Sequence, residues 1–175
     1  MANDRFLNSD VLAFYTSGSG ATWTETLTAI PYAQPTGIAF GGGKFVTVGY
    51  GGLVATSSNG SAWTEQTLGS ASDLGLIDVT YGGGQFVAVT NSGKAWRSAD
   101  GVTWAKATVN VNALYGVAYG NGVFAAVGNA GTIFTSPDAV TWTRRTWSGP
   151  SAAFEAVAFG NAAFVAVGDS FAESH

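Results

Sequence analysis

Apolar stretches of four or five residues recur along the chain, each set off by glycines: "KFVTVG", "QFVAVT", "VFAAVG" and "AFVAVG". These runs lack alternation, which predicts strands covered on both faces. Upstream of each lies a shorter apolar segment and a tight turn, as in "GIAFGGGKF" and "GVAYGNGVF". The Gly-Gly and Asn-Gly pairs there supply the positive φ angles of a two-residue hairpin. Downstream come "LVATS", "KAWRS" and "TIFTS", then polar strands that begin at tryptophan: "WTEQTL", "WAKATV" and "WTRRTW". No stretch carries a helical period.

The pattern has a long period. Four turns read "SGSGATW", "SSNGSAW", "SADGVTW" and "SPDAVTW". They end at Trp23, Trp63, Trp104 and Trp142, which are 40, 41 and 38 residues apart. The phenylalanines that open the apolar runs, Phe45, Phe86, Phe124 and Phe164, are 41, 38 and 40 apart. Two anchors with one period define a repeat of about 40 residues and four strands, which predicts the blades of a β-propeller.

The ends of the repeat are out of phase. The N-terminal "FYTSGSGATWTETL" matches strands three and four of a unit, and the C-terminal "AVAFGNAAFVAVGD" matches strands one and two. The expected fold is therefore all-β: a single propeller domain over residues 1–175, with four blades of four antiparallel strands. N- and C-terminal segments would share the closing blade, which removes open sheet edges. Closure by exchange between two chains, giving a larger ring, is the alternative. Residues 1–8 and 170–175 have no blade role and are expected to act as docking arms.

The tryptophan turns have a physical reading. Ser and Asp side chains accept backbone N–H bonds and hold the turn, and glycine relieves its steric demand. The indole then packs on the sheet. Trp23, Trp63, Trp104, Trp142, Asp100 and Asp138 are thus expected to be structural staples. With these turns the chain resembles the Asp-box propellers, a group with sialidase-type repeats and photosystem II assembly factor-like propellers. The likeness runs from about Tyr15 to Val167. The turn from Ser98 to Trp104 is one residue shorter than the usual Asp box, and Asn59 and Ser19 replace Asp in two copies. Asp boxes in that group are structural, so the resemblance implies a fold and no activity. Similar repeats occur in phage virion proteins and bacterial surface proteins.

Composition narrows the function. Charged residues make up 10% of the chain against the usual quarter, and the net charge is −4. An acidic chain is repelled by phosphate backbones and anionic lipid, so neither nucleic acid nor membrane is an expected partner. There is no cysteine and one histidine, His175, which argues against thiolate or zinc sites and a Ser–His–Asp triad. No metal or cofactor is expected. The start "MANDRFLNSD" lacks a basic-then-apolar signal layout, so classical secretion is not expected.

A sialidase likeness would imply an arginine cluster near the ring axis. The arginines are Arg5, Arg97, Arg144 and Arg145, and the last three fall on third or fourth strands. Most acids fall at turns or on fourth strands, away from the paired carboxylates of a glycosidase. No enzyme is expected.

Tyr32, Tyr50 and Tyr115 fall in or beside inter-strand loops, Tyr32 and Tyr115 in equivalent ones. Trp147 stands where sister units have Leu68 and Val109. These four are the candidate binding residues, with packing between blades as the competing role for Trp147. The resulting expectation is a non-catalytic structural or interaction module. Its favoured setting is a multi-copy phage virion, as a decoration, tail or fibre protein contacting other virion proteins or copies of itself. A glycan-binding lectin is the alternative, and a glycosidase ranks last. The location would be the virion, or the cytoplasm if the protein is not phage-encoded.

Overall fold

The computed structural model describes residues 11–30, 34–68, 75–107, 109, 111, 113–150 and 152–170. All sixteen elements among them are strands. A first pair comprises β1 (Leu12–Thr16) and β2 (Thr24–Thr28). Blade A follows: β3 (Gln34–Gly41), β4 (Lys44–Tyr50), β5 (Leu53–Ser57) and β6 (Thr64–Thr67). Blade B contains β7 (Leu76–Gly82), β8 (Gln85–Thr90), β9 (Ala95–Ser98) and β10 (Ala105–Ala107). Blade C contains β11 (Leu114–Gly120), β12 (Val123–Gly128), β13 (Thr132–Ser136) and β14 (Thr143–Arg144). A last pair comprises β15 (Ala152–Gly160) and β16 (Ala163–Ser170).

Within each blade the strands pair antiparallel in sequence order. The registers repeat, with Phe45 opposite Ser57, Phe86 opposite Ser98 and Phe124 opposite Ser136. Each first strand carries a bulge at the same place: Pro35/Gly37, Leu76/Asp78, Leu114/Gly116 and Phe154/Ala156. Hydrophobic burial follows the strand pattern, since both faces of a second strand meet apolar neighbours. Val46, Val48, Val87 and Val89 are fully buried.

The core is divided into layers between successive sheets. Leu12, Phe14 and Ile30 pack on Leu53 and Ala55, and Val46 and Val48 pack on Leu76 and Val79. Val87 and Val89 pack on Leu114 and Val117, and Val127 packs on Ala152 and Phe154. This is a β-propeller of four-stranded antiparallel sheets.

The expected closing blade is not formed. β1–β2 and β15–β16 are two separate two-stranded sheets at opposite ends of an open arc. The sequence supplies both halves of a blade, but closure also requires the angles between successive sheets to bring the ends together. That curvature comes from inter-blade packing.

Candidate functional site

The tryptophan turns are built alike. In blade B, Asp100 Oδ1 accepts the N–H groups of Val102 (2.8 Å) and Thr103 (2.7 Å) and the Ser98 hydroxyl (2.9 Å). Gly101 N–H donates to Ser98 Oγ at 2.8 Å, and Trp104 Nε1–H donates to Gly101 O at 3.1 Å. These bonds favour the ionised carboxylate and hold the Asp100 pKa down at about 2. Asp138 has the same partners in blade C, Ser136, Val140 and Thr141, and is shifted the same way by the same cause. Asn59 reproduces the geometry without charge, accepting Ser61 and Ala62 N–H at 2.9 Å each.

Trp63, Trp104 and Trp142 each face the sheet before their own. Trp63 stacks on Phe14 with centroids 4.0 Å apart and planes 10° apart. Trp104 packs against the layer of Val46 and Val48, and Trp142 against that of Val87 and Val89. In blade C, Ala139 replaces the turn glycine at φ +57°, and the buried Trp142 Nε1–H has no partner there. Trp23 has no preceding blade and is 62% exposed.

Two further devices join neighbouring blades. In the first, an aromatic ring at the end of one first strand fills a notch left by a glycine on the blade before. Tyr81 sits over Gly41, Tyr119 over Gly82 and Phe159 over Gly120, so closely that a Cβ on any of these glycines would overlap the ring. In the second, hairpin side chains reach the next tryptophan turn: Lys44 Nζ donates to Asp100 O (2.8 Å), and Gln85 Nε2 to Asp138 O (3.1 Å).

Asp78 escaped the sequence reading. It takes the place held by Gly37, Gly116 and Ala156 in the other copies, and a charged residue in that set is the signal that was available. Its Oδ1 accepts Val79 N–H at 2.8 Å, and its Oδ2 accepts Val117 N–H of the next blade at 2.9 Å. Burial pushes this carboxyl up, opposed by the two N–H bonds.

The three described candidates, Tyr50, Tyr115 and Trp147, fall at separate places in the fold. Tyr32 lies outside the described residues. Tyr50 is exposed at the end of β4 in blade A. Tyr115 is half-buried within β11, at the bulge between Leu114 and Gly116. Its equivalents are thus Thr36, Ile77 and Glu155, which corrects the expectation that it shares a loop position with Tyr32. Trp147 follows β14, donates to Pro150 O at 2.8 Å and meets Phe154 edge-on at 5.3 Å. It borders a cleft of about 320 Å³ with Arg144, Arg145 and Gly131.

Unfilled space adjoins the first pair. A cleft of about 430 Å³ runs between β1 (Ala13, Phe14, Tyr15) and β3 (Pro35 to Ile38). A second, of about 300 Å³, lies beside it among Tyr15, Trp23, Ile38 and Trp63. Relative to the complete blades, this is where strands one and two of the first half-blade would lie.

The chain belongs to the DUF6242 beta propeller domain family, whose profile matches residues 39–159. No curated protein matches the sequence. Among solved structures it is similar to streptogramin B lyase, with 17% identity and a TM-score of 0.77 over 90% of this chain and 55% of that one. It is similar to YCF48 bound to a D1 peptide, with 16% identity and a TM-score of 0.62 over 81% and 48%. It also resembles the computationally designed Ika4 protein, with 16% identity and a TM-score of 0.59 over 78% and 86%. The chain spans about half the length of the first two, and these likenesses establish the propeller fold.

Proposed function

We propose that this propeller is a non-catalytic structural and interaction module of a multi-copy assembly, with a phage virion as its setting. The observation that carries the reading is the state of the two ends. On the first, Ile38 is 58% and Phe40 59% exposed; on the last, Val165 and Val167 are each 60% exposed. Interior blades bury the equivalents of Ile38, Val165 and Val167 and half-bury those of Phe40, and exposed apolar strands with open edges are surfaces for protein contact. The low charge supports the same reading, because few ions need be desolvated when such a surface docks. The non-catalytic part is supported by the carboxylates just described: Asp100 and Asp138 are engaged by their own turns and Asp78 by two backbone amides.

The test is sedimentation of the full-length protein with particles purified from its source. Co-migration that survives high salt is expected, because the contact is apolar. Recovery only as free protein would overturn the assembly reading.

A glycan-binding role is the second reading. The cleft of Arg144, Arg145 and Trp147 favours it, since an indole beside guanidinium groups suits an acidic sugar. Loss of binding to an acidic glycan panel on Trp147→Ala would support it, and absence of binding by the unaltered protein would end it.

A further inference from the structure

The two ends of the arc are complementary. Gly160 stands in register with Gly41, Gly82 and Gly120. Those three notches are filled by Tyr81, Tyr119 and Phe159, whereas at Gly160 nothing lies within 4 Å of a Cβ. The aromatic without a notch is Phe40, the equivalent of those three rings, at the opposite end. The second strands repeat the mismatch. Val48 and Val89 are 0% and Val127 2% exposed under the next blade, but their counterpart Val167 is 60% exposed. The residue that would cover it corresponds to Val79 and Val117, both 4% exposed; that residue is Ile38, at 58%. Beside Ile38 is the cleft in which two strands are missing.

We propose that a second copy of this chain covers each end. In that arrangement β16 of one copy pairs with β1 of the other, Phe40 of the second copy enters the Gly160 notch, and two arcs close one ring of eight blades, within the range propellers use. The proposal rests on the reading of the ends as docking surfaces and names their partner. The open arc favours a second copy over closure within one chain: β1–β2 and β15–β16 stand as two separate two-stranded sheets, so neither end covers the other.

The interior blades predict the register. Val46 faces Thr56, Val87 faces Arg97 and Ala125 faces Thr135. The same alignment sets Val165 opposite Thr16 of the second copy, with Cβ atoms about 5 Å apart as in any directly facing pair. The chain contains no cysteine, so an engineered pair has no competitor.

The experiment mixes the single variants Thr16→Cys and Val165→Cys, refolds them together and oxidises them under mild conditions. The expected result is a band of doubled mass on a non-reducing gel, lost on reduction and absent when either variant is oxidised alone. Gly160→Leu on the Val165→Cys chain is the control: a Cβ there has no described atom of the chain within 4 Å, so the arc keeps its β spectrum, but the notch is blocked and the doubled band disappears. If the mixture gives no doubled band while the chain carrying both cysteines cross-links internally, the ring closes in one chain and the proposal is overturned. If neither cross-links, the ends do not pair with one another, which also overturns it. Particle sedimentation then judges the wider assembly reading separately. A doubled band that persists with Gly160→Leu would overturn the placement of Phe40 in the notch.

Discussion

Asp78 Oδ2 accepts the Val117 backbone N–H across the boundary between blades B and C, at 2.9 Å. A side chain on one first strand thereby does for the neighbouring blade what strand pairing does within a blade. Asp78→Ala leaves the Val117 N–H at the bulge of β11 without its acceptor. The expected cost is about 1–3 kcal/mol, read as a lowered midpoint in denaturant with an unchanged slope. A midpoint within error of the unaltered protein would show that water replaces the carboxylate at no cost.

The tryptophans should differ by position. Trp104 packs on blade A, and Trp104→Ala is expected to cost about 3–5 kcal/mol. Trp23 is exposed in the single arc, so Trp23→Ala should cost less than about 1 kcal/mol under conditions that keep the chain monomeric. Chemical denaturation of both variants at low protein concentration checks the contrast. Equal losses would contradict the placement of Trp23 at a free end.

Acid should loosen the turns. The Asp100 pKa is lowered to about 2 in the folded chain, against 3.8 for the ordinary carboxyl. Its stabilising contribution is thus complete above the unfolded value and is lost as pH falls through the folded one. Asp138 is shifted in the same direction. Asp78 acts oppositely: its raised pKa means that protonation relieves a burial cost as pH falls. The double variant Asp100→Asn/Asp138→Asn keeps an Oδ1 acceptor in each turn, as Asn59 does, and removes both titrations. Its melting temperature should fall less steeply than that of the unaltered protein between pH 4 and pH 2, a window set by those values. Parallel curves would show that these turns do not govern the acid limb.

The blades were legible in the sequence because each repeats the same physical demands. An apolar strand covered on both sides, a glycine hairpin and a tryptophan turn each force a residue type, and their periods coincide. Asp78 was legible only as an oddity, a charge at a first-strand position held elsewhere by Gly or Ala, and only the structure shows that its partner is Val117. The role of Gly160 was hidden for a similar reason: beside Asn161 it reads as hairpin punctuation, and the notch appears only once Tyr81, Tyr119 and Phe159 are seen in theirs. Ring closure was not legible either. The half-blades fit each other by strand type whether they belong to one chain or two, and the curvature that chooses depends on side-chain volumes between sheets.

The notch glycines offer a graded comparison. Gly82→Val places a branched side chain in the space of the Tyr119 ring and should destabilise the arc by more than about 1–3 kcal/mol, the usual cost of overpacking. At Gly160 a Cβ has no described atom within 4 Å, so Gly160→Val should leave the monomeric arc within about 0.5 kcal/mol of the unaltered protein. Urea titrations at low protein concentration compare them. A large loss for Gly160→Val alone would mean that its notch is already occupied within the chain.

The most direct measurement of the central claim is the mass of the unaltered full-length protein in solution, by light scattering on a size-exclusion column across a range of concentrations. The paired-arc account predicts a species of twice the 17.8 kDa chain mass, shifting to the single-chain mass on Phe40→Ala or Gly160→Leu. A protein that stays at the single-chain mass at every concentration would contradict it.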